Sequence, residues 1–204
     1  MAPVLNDYSY IQLYISGSGK SLIYQLPAVY NQGKITIVIS PLIALIKDQI
    51  HHLLKNGING KTLNHKMNRL ERSQVISGIE NEEPKTCLLY VTPELCSSDR
   101  FQKMIKVLNN RGKLAYIVVD EAHCISSWGS TFRPDYKNLS DLRPTACNVP
   151  WVALTATADR NVENEIITSL GFKENYKTFK LPTYRSNLIY NVVFKDPNLE
   201  NVSN

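Results

Sequence analysis

The chain has 204 residues, 43% of them hydrophobic and 20% charged, with a formal net charge of +5. That balance excludes wholesale disorder, and the length suits one domain able to bury a sizeable core. The mild basicity accommodates a polyanionic partner but does not require one.

Taken in chain order, residues 1–9 carry no pattern, and Tyr10–Ile15 reads as a strand leading into Gly17-Ser18-Gly19-Lys20-Ser21. A helix is expected over Leu22–Tyr30. The small residues before it let a loop curl so that backbone N–H groups face a phosphate. Lys20 would bring charge to the terminal phosphates and the Ser21 hydroxyl would ligate magnesium. The full eight-residue pattern asks for glycine at position 14, where Tyr14 stands, and a plain Gly/Ser turn is the competing reading.

Ile35–Ile39, Thr86–Val91, Leu114–Val119 and Trp151–Thr155 are continuous apolar runs, the mark of strands covered on both faces in a parallel sheet. The apolar run from Ile35 to Ile46 is broken by Pro41 and is shorter than the roughly 20 residues a bilayer span takes. No membrane association is expected. Leu42, Leu45, Ile46, Ile50, Leu53 and Leu54 fall on one helical face that ends at Gly57. Asn68 with Glu71 marks another helix start, and Asp159 precedes a third that runs through Val162, Ile166, Ile167 and Leu170 to Gly171. Strand and helix in alternation predict an α/β fold, a mostly parallel sheet flanked by helices, with chemistry at the carboxyl ends of the strands. Leu188–Phe194 reads as one more strand before a polar tail.

Asp120-Glu121-Ala122-His123 follows directly on the Leu114–Val119 run. A carboxylate at the end of a buried strand can hold magnesium, and a second beside it can orient and deprotonate water. The competing reading is an exposed acidic turn. Beyond it, Trp128, Phe132 and Tyr136 surround Arg133, either as local core or as a surface on which bases stack. Lys55, Lys61, Lys66, Arg69 and Arg72 form a basic stretch of the kind that is most often solvated surface. Cys87, Cys96, Cys124 and Cys147 form no Cys-x-x-Cys pair and have no histidine at ligand spacing, so reduced thiols are expected, with neither a disulfide framework nor zinc.

These motifs together resemble the RecQ family of superfamily 2 helicases over residues 16–195. Gly17–Ser21 with Leu22–Pro27 resembles the family's phosphate loop and following helix, and Ser40–Gln49 a motif that touches the DNA backbone. Tyr90–Glu94, which contains Thr92, is similar to a further DNA-contacting motif. Asp120–His123 resembles the hydrolysis motif, and Cys124–Tyr136 the aromatic-rich loop that couples DNA to ATP turnover. Ala153–Thr157, with Thr155 and Thr157, is similar to the motif that links hydrolysis to movement.

The resemblance implies a RecA-like P-loop NTPase domain that takes ATP and Mg2+ and binds single-stranded or branched DNA. In it Lys20, Asp120, Glu121 and His123 are catalytic, Gly17, Ser18, Gly19, Lys20 and Ser21 bind nucleotide, and Ser21 and Asp120 hold the metal. Trp128, Phe132, Arg133, Thr92, Thr155 and Thr157 bind DNA or couple it to turnover. It further implies a nuclear enzyme of DNA repair, recombination or replication with 3′→5′ polarity. The expected organisation is an atypical segment at 1–15, the first motor domain at 16–183, and at 184–204 the approach to a second motor domain that is absent. A nucleotide- and DNA-binding module with little turnover is the alternative. The chain departs from the family at Ile15 and Ser16, where proline and threonine precede the first glycine, and at Ser130 and Thr131, where a histidine and an acid stand. Met1–Ile15 also lacks the family's adenine-recognition segment.

Overall fold

The computed structural model describes residues 10–13, 19–81, 84–126, 133–146, 148–180, 189, 191 and 192. Among these residues seven strands form one sheet: β1 (Tyr10–Leu13), β2 (Ile35–Ile39), β3 (Gly60–Leu63), β4 (Leu88–Val91), β5 (Leu114–Val119), β6 (Trp151–Thr155) and β7 (Lys177–Lys180). Their order is β3-β4-β2-β5-β6-β1-β7, and every pairing is parallel. Parallel neighbours need crossovers, and helices supply them: α1 (Lys20–Tyr30), α2 (Ile43–Lys55), α3 (Arg69–Glu80), α5 (Asp99–Asn110) and α7 (Arg160–Ser169). Two one-turn helices, α4 (Pro93–Cys96) and α6 (Pro134–Lys137), and 3-10 turns at Ala122–Ile125 and Asn138–Ala146 complete the described elements.

The apolar runs form strands because alternate residues feed two separate cores. Ile35, Ile37 and Ile39 face a core shared with Ile79 of α3, Phe101, Ile105 and Leu108 of α5, and Ile166 of α7. Val38 lies on the other face with Tyr24 and Ala28 of α1 and Ile46 and Leu53 of α2. All of β2, β4, β5 and β6 is buried, so no polar alternation shows in their sequences. Each fully buried aliphatic side chain contributes about 1.5–3 kcal/mol.

The helix boundaries follow local chemistry. Asn68 accepts from Glu71 N at 2.9 Å while Glu71 accepts from Asn68 N at 3.0 Å, a complete capping box. Asp159 Oδ1 accepts from Val162 N at 2.9 Å. Gly57 and Gly171 end their helices at φ 73° and 59°, where a Cβ would be strained. Among the described residues no helix is long and apolar enough to cross a membrane. Among the described residues Cys87, Cys96 and Cys124 are joined in no disulfide.

Several sequence expectations need correction. The α2 face is narrower than its pattern: Ile46 and Leu53 are buried, but Leu54 is 53% exposed and Leu42, which precedes the helix, 50%. β4 begins at Leu88 rather than at Thr86. Of the strand expected at Leu188–Phe194, the described residues Ile189, Asn191 and Val192 are exposed and in no strand, and the rest lies outside the described residues. Strands β3 and β7 and helix α5 were not singled out by pattern. A half-buried cation also ties part of the core together. The Arg143 guanidinium lies 4.4 Å from the Trp151 ring centre and 5.0 Å from that of Phe172, and its Nε donates to Leu170 O at 2.8 Å.

Candidate nucleotide site and acidic turn

Helix α1 begins at Gly19, whose φ of 82° suits glycine, and no side chain caps it. Leu22 N bonds back to Gly19 O at 3.0 Å, so the N–H groups of Lys20 and Ser21 stand at an open helix start, where the dipole favours an anion. Burial raises the Tyr24 pKa, and the Ser21 hydroxyl lies close enough to Tyr24 to pull it down by a smaller amount. Gly17 and Ser18, and the Tyr14 and Ser16 positions discussed above, lie outside the described residues.

Strand β5 delivers Asp120 and Glu121 opposite that helix start. Lys20 Nζ lies 3.8 Å from Glu121 Oε1. Asp120 N donates to Ile39 O at 2.9 Å, which holds the turn on the neighbouring strand. The Asp120 carboxyl is pushed up to about 6, first by burial and then by Glu121, against the smaller opposing pull of the Glu121 N–H bond and of Lys20. Glu121 is the only described non-glycine residue with positive φ, 49°, a conformation that costs about 1–2 kcal/mol and recurs at functional turns.

His123 completes a chain of contacts. Its Nδ1 lies 3.3 Å from Glu121 Oε2 and 3.0 Å from Thr155 Oγ1. Thr155 Oγ1 donates to Thr157 O and accepts from Thr157 N, both at 3.2 Å. The Thr155 hydroxyl is thus shared between the His123 ring and the Thr157 backbone. The turn after β5 is thereby joined to the end of β6.

Of the residues expected to meet DNA, Trp128 and Phe132 lie outside the described residues, as do Ser130 and Thr131. Arg133 is half-buried, its Nη1 4.0 Å from Glu94 Oε1. Tyr136 is wholly buried and belongs to the core, not to a stacking surface. Thr92 and Ser40, at the ends of adjacent strands β4 and β2, are both 2% exposed, and neither hydroxyl has a hydrogen-bond partner among the described residues. A buried polar group of this kind was not readable from the motif spacing.

Sequence reasoning also missed a network behind the site. Gln25 Nε2 donates to Gln49 Oε1 at 2.9 Å and to the Tyr90 hydroxyl at 3.2 Å, and Tyr24 and Tyr90 hydroxyls lie 3.4 Å apart. All four lie within segments that resemble family motifs, but nothing in the sequence showed that their side chains meet.

The donor set fits a nucleotide carrying a divalent ion. Among the described residues no three His, Cys, Asp or Glu side chains gather to chelate a metal by themselves. The ion would be held by one carboxylate together with phosphate oxygens and water, the arrangement a hard cation accompanying a nucleotide takes. The uncapped helix start and the cation of Lys20 would meet the phosphates.

A wholly parallel sheet with a lysine at an open helix start facing an acidic turn defines a RecA-like P-loop NTPase domain. The comparisons agree. A family model described as DEAD/DEAH box helicase matches residues 2–165. The chain belongs to the DEAD/DEAH box helicase family. It is 47% identical over 196 residues to the rat protein named ATP-dependent DNA helicase Q5, covering 96% of this chain and 20% of that one. It is 42% identical to the Xenopus laevis RecQ-like DNA helicase BLM, covering 89% of this chain and 13% of that one. These relatives are RecQ-family DNA helicases, and the chain spans a fifth or less of their length. Among solved structures, the Mycobacterium smegmatis helicase Lhr bound to ssDNA and AMP-PNP aligns with a TM-score of 0.63 at 18% identity, over 87% of this chain and 24% of that one. This likeness is one of fold. Members of the family use ATP with a divalent metal.

Proposed function

We propose that residues 16–183 are the first, ATP-binding motor domain of a RecQ-type 3′→5′ DNA helicase, acting on single-stranded or branched DNA in the nucleus during repair, recombination or replication. The observation that carries this reading is the placement of Lys20 3.8 Å from Glu121, which in turn reaches Thr155 through His123.

In this reading Gly17, Ser18 and Gly19 offer backbone N–H groups to the phosphates of ATP, and Lys20 neutralises their charge. Ser21 and Asp120 hold Mg2+, whose charge would polarise the terminal phosphate. Glu121 orients the attacking water and takes its proton. His123 shares the position of Glu121 with Thr155 and Thr157 on β6. Arg133, Trp128 and Phe132 form the DNA side, where the two aromatic residues would stack on bases and Arg133 would meet the backbone, while Thr92, 2% exposed, would act from behind that surface. Residues 184–204 lead towards a second motor domain, whose arginine would stabilise charge in the transition state.

The test compares the chain with its Glu121→Gln variant for Mg-ATP affinity and for ATP turnover with and without single-stranded DNA. Equal affinity and turnover lower by about 10²–10⁴-fold, the usual share of a general base, is the expected result. Equal turnover by both proteins would remove Glu121 from the chemistry. Nucleotide and DNA binding without turnover in the parent would favour the binding-module reading.

A further inference from the structure

Tyr136 is wholly buried, yet its hydroxyl bonds to the acidic turn and not to a core partner. It donates to the backbone oxygen of Asp120 at 2.9 Å. That oxygen belongs to the same peptide unit as the Glu121 N–H, which donates to Asp120 Oδ1 at 3.0 Å. The peptide plane between the two carboxylates is thus held at both of its polar ends. Immediately after it, the Glu121 oxygen accepts from Cys124 N at 2.9 Å. Glu121 sits between these anchors in the left-handed region. Its φ is the rotation that follows the held plane, so tilting that plane swings the Glu121 side chain. Burial first, and then the neighbouring Cys124, Asp120 and Glu121, push the Tyr136 hydroxyl well up, which keeps its proton available to donate.

Tyr136 is placed by the same turn it restrains. Arg133 N donates to Cys124 O at 3.0 Å and Tyr136 N to Arg133 O at 3.1 Å, so α6 is docked on the residues that follow Glu121. On the near side, Ser126 N donates to His123 O at 3.0 Å.

We propose that Tyr136 is a positioning residue for hydrolysis: its hydroxyl fixes the Asp120–Glu121 peptide plane and so the direction in which the Glu121 carboxylate points. The proposal rests on the reading of Glu121 as the group that activates water. It adds a residue outside the acidic motif, on the far stem of the segment that follows it.

Tyr136→Phe removes one oxygen and keeps the ring. Binding of Mg-ADP and of Mg-ADP with aluminium fluoride, a mimic of the transferring phosphate, is measured by calorimetry for parent, Tyr136→Phe and Glu121→Gln. Turnover is measured in parallel with saturating single-stranded DNA. For Tyr136→Phe the ADP affinity is expected within about twofold of the parent and the fluoride complex weaker by about tenfold. Its kcat should fall by about tenfold with KM unchanged, the pattern of an interaction needed only in the transition state. Parent-like fluoride binding and kcat overturn the proposal and leave the reading of Glu121 standing, as does a lower melting temperature with parent-like kcat per folded molecule. A variant that does not fold assigns the bond to stability and also overturns it. If the parent does not bind Mg-ADP, or Glu121→Gln matches the parent in fluoride binding and turnover, both the site reading and this proposal fail.

Discussion

His123 and Thr155 are 32 positions apart in sequence, and their Nδ1 and Oγ1 atoms are 3.0 Å apart in space. The Thr155 hydroxyl also closes the turn at Thr157, so one oxygen serves two elements. Thr155→Val keeps the shape and removes all three bonds. It is expected to cost about 1–3 kcal/mol of stability, because the Thr157 N–H and the imidazole lose a buried partner. Affinity for Mg-ATP should stay within about twofold, since neither group is placed against the phosphates. What should disappear is the dependence of DNA affinity on bound nucleotide, measured by fluorescence anisotropy with and without a non-hydrolysable ATP analogue. A variant that keeps that dependence would show that the signal takes another route.

Lys20 is the cation at the open start of α1. Lys20→Ala is expected to weaken Mg-ATP binding by roughly 10–100-fold, the worth of a charge-assisted hydrogen bond of about 1.5–3 kcal/mol. The melting temperature of the nucleotide-free protein should hardly move, because its contact with Glu121 is 3.8 Å long and part-exposed. Unchanged affinity by calorimetry would exclude this helix start as the phosphate site.

Asp120 supplies a pH signature. Its carboxyl is raised from 3.8 to about 6 in the folded chain. Between those values the folded state binds more protons than the unfolded one, so stability falls as pH rises through the window. The penalty is complete above about pH 6 and absent below about pH 4, and two units correspond to about 3 kcal/mol. Asp120→Asn should therefore raise the melting temperature at pH 7.5 by several degrees and leave it near the parent's below pH 4. Mg-ATP should reverse the order at pH 7.5, stabilising the parent and not the variant. A variant less stable than the parent at pH 7.5 without nucleotide would contradict the burial of this charge.

Arg143 tests packing away from the site. Its guanidinium lies against Trp151 and Phe172, and partial burial lowers its pKa to about 10. Lysine keeps the charge but loses the planar stacking and the Nε bond to Leu170 O. Arg143→Lys is expected to cost about 1–3 kcal/mol in urea unfolding, with Mg-ATP affinity unchanged. A loss of nucleotide affinity would place this cluster in communication with the site.

The sequence made legible the parts of the fold whose residues have one environment. Ile35–Ile39, Leu114–Val119 and Trp151–Thr155 are apolar throughout because they are covered on both faces, and each run is a strand from end to end. Gly60–Leu63 and Lys177–Lys180 stayed hidden because they are the edges of the sheet. Lys61 and the lysines at both ends of β7 break the apolar pattern, and such charges are what keep an edge from pairing with another chain. In the site, Lys20, Asp120 and Glu121 could be named from their motifs and His123 from the family resemblance, and the structure brings them together. Tyr136 could be named as an aromatic but not assigned a partner, since a hydroxyl reaching a backbone oxygen 16 positions earlier leaves no periodic trace.

The place of β1 in the sheet bears on how the chain is made. Residues Tyr10–Leu13 pair with Val152–Thr155 on one side and with Lys177–Lys180 on the other. Strand β1 therefore has no native neighbour among the described strands until β6 has been synthesised. Meanwhile β2, β4 and β5 can already assemble beside one another. At translation rates of about 5–20 residues per second, β1 waits on the order of ten seconds with both edges unsatisfied. The strand that precedes Gly19 and Lys20 thus joins the sheet only after β6, with β7 closing over it last, and it is the piece a chaperone would have most reason to hold.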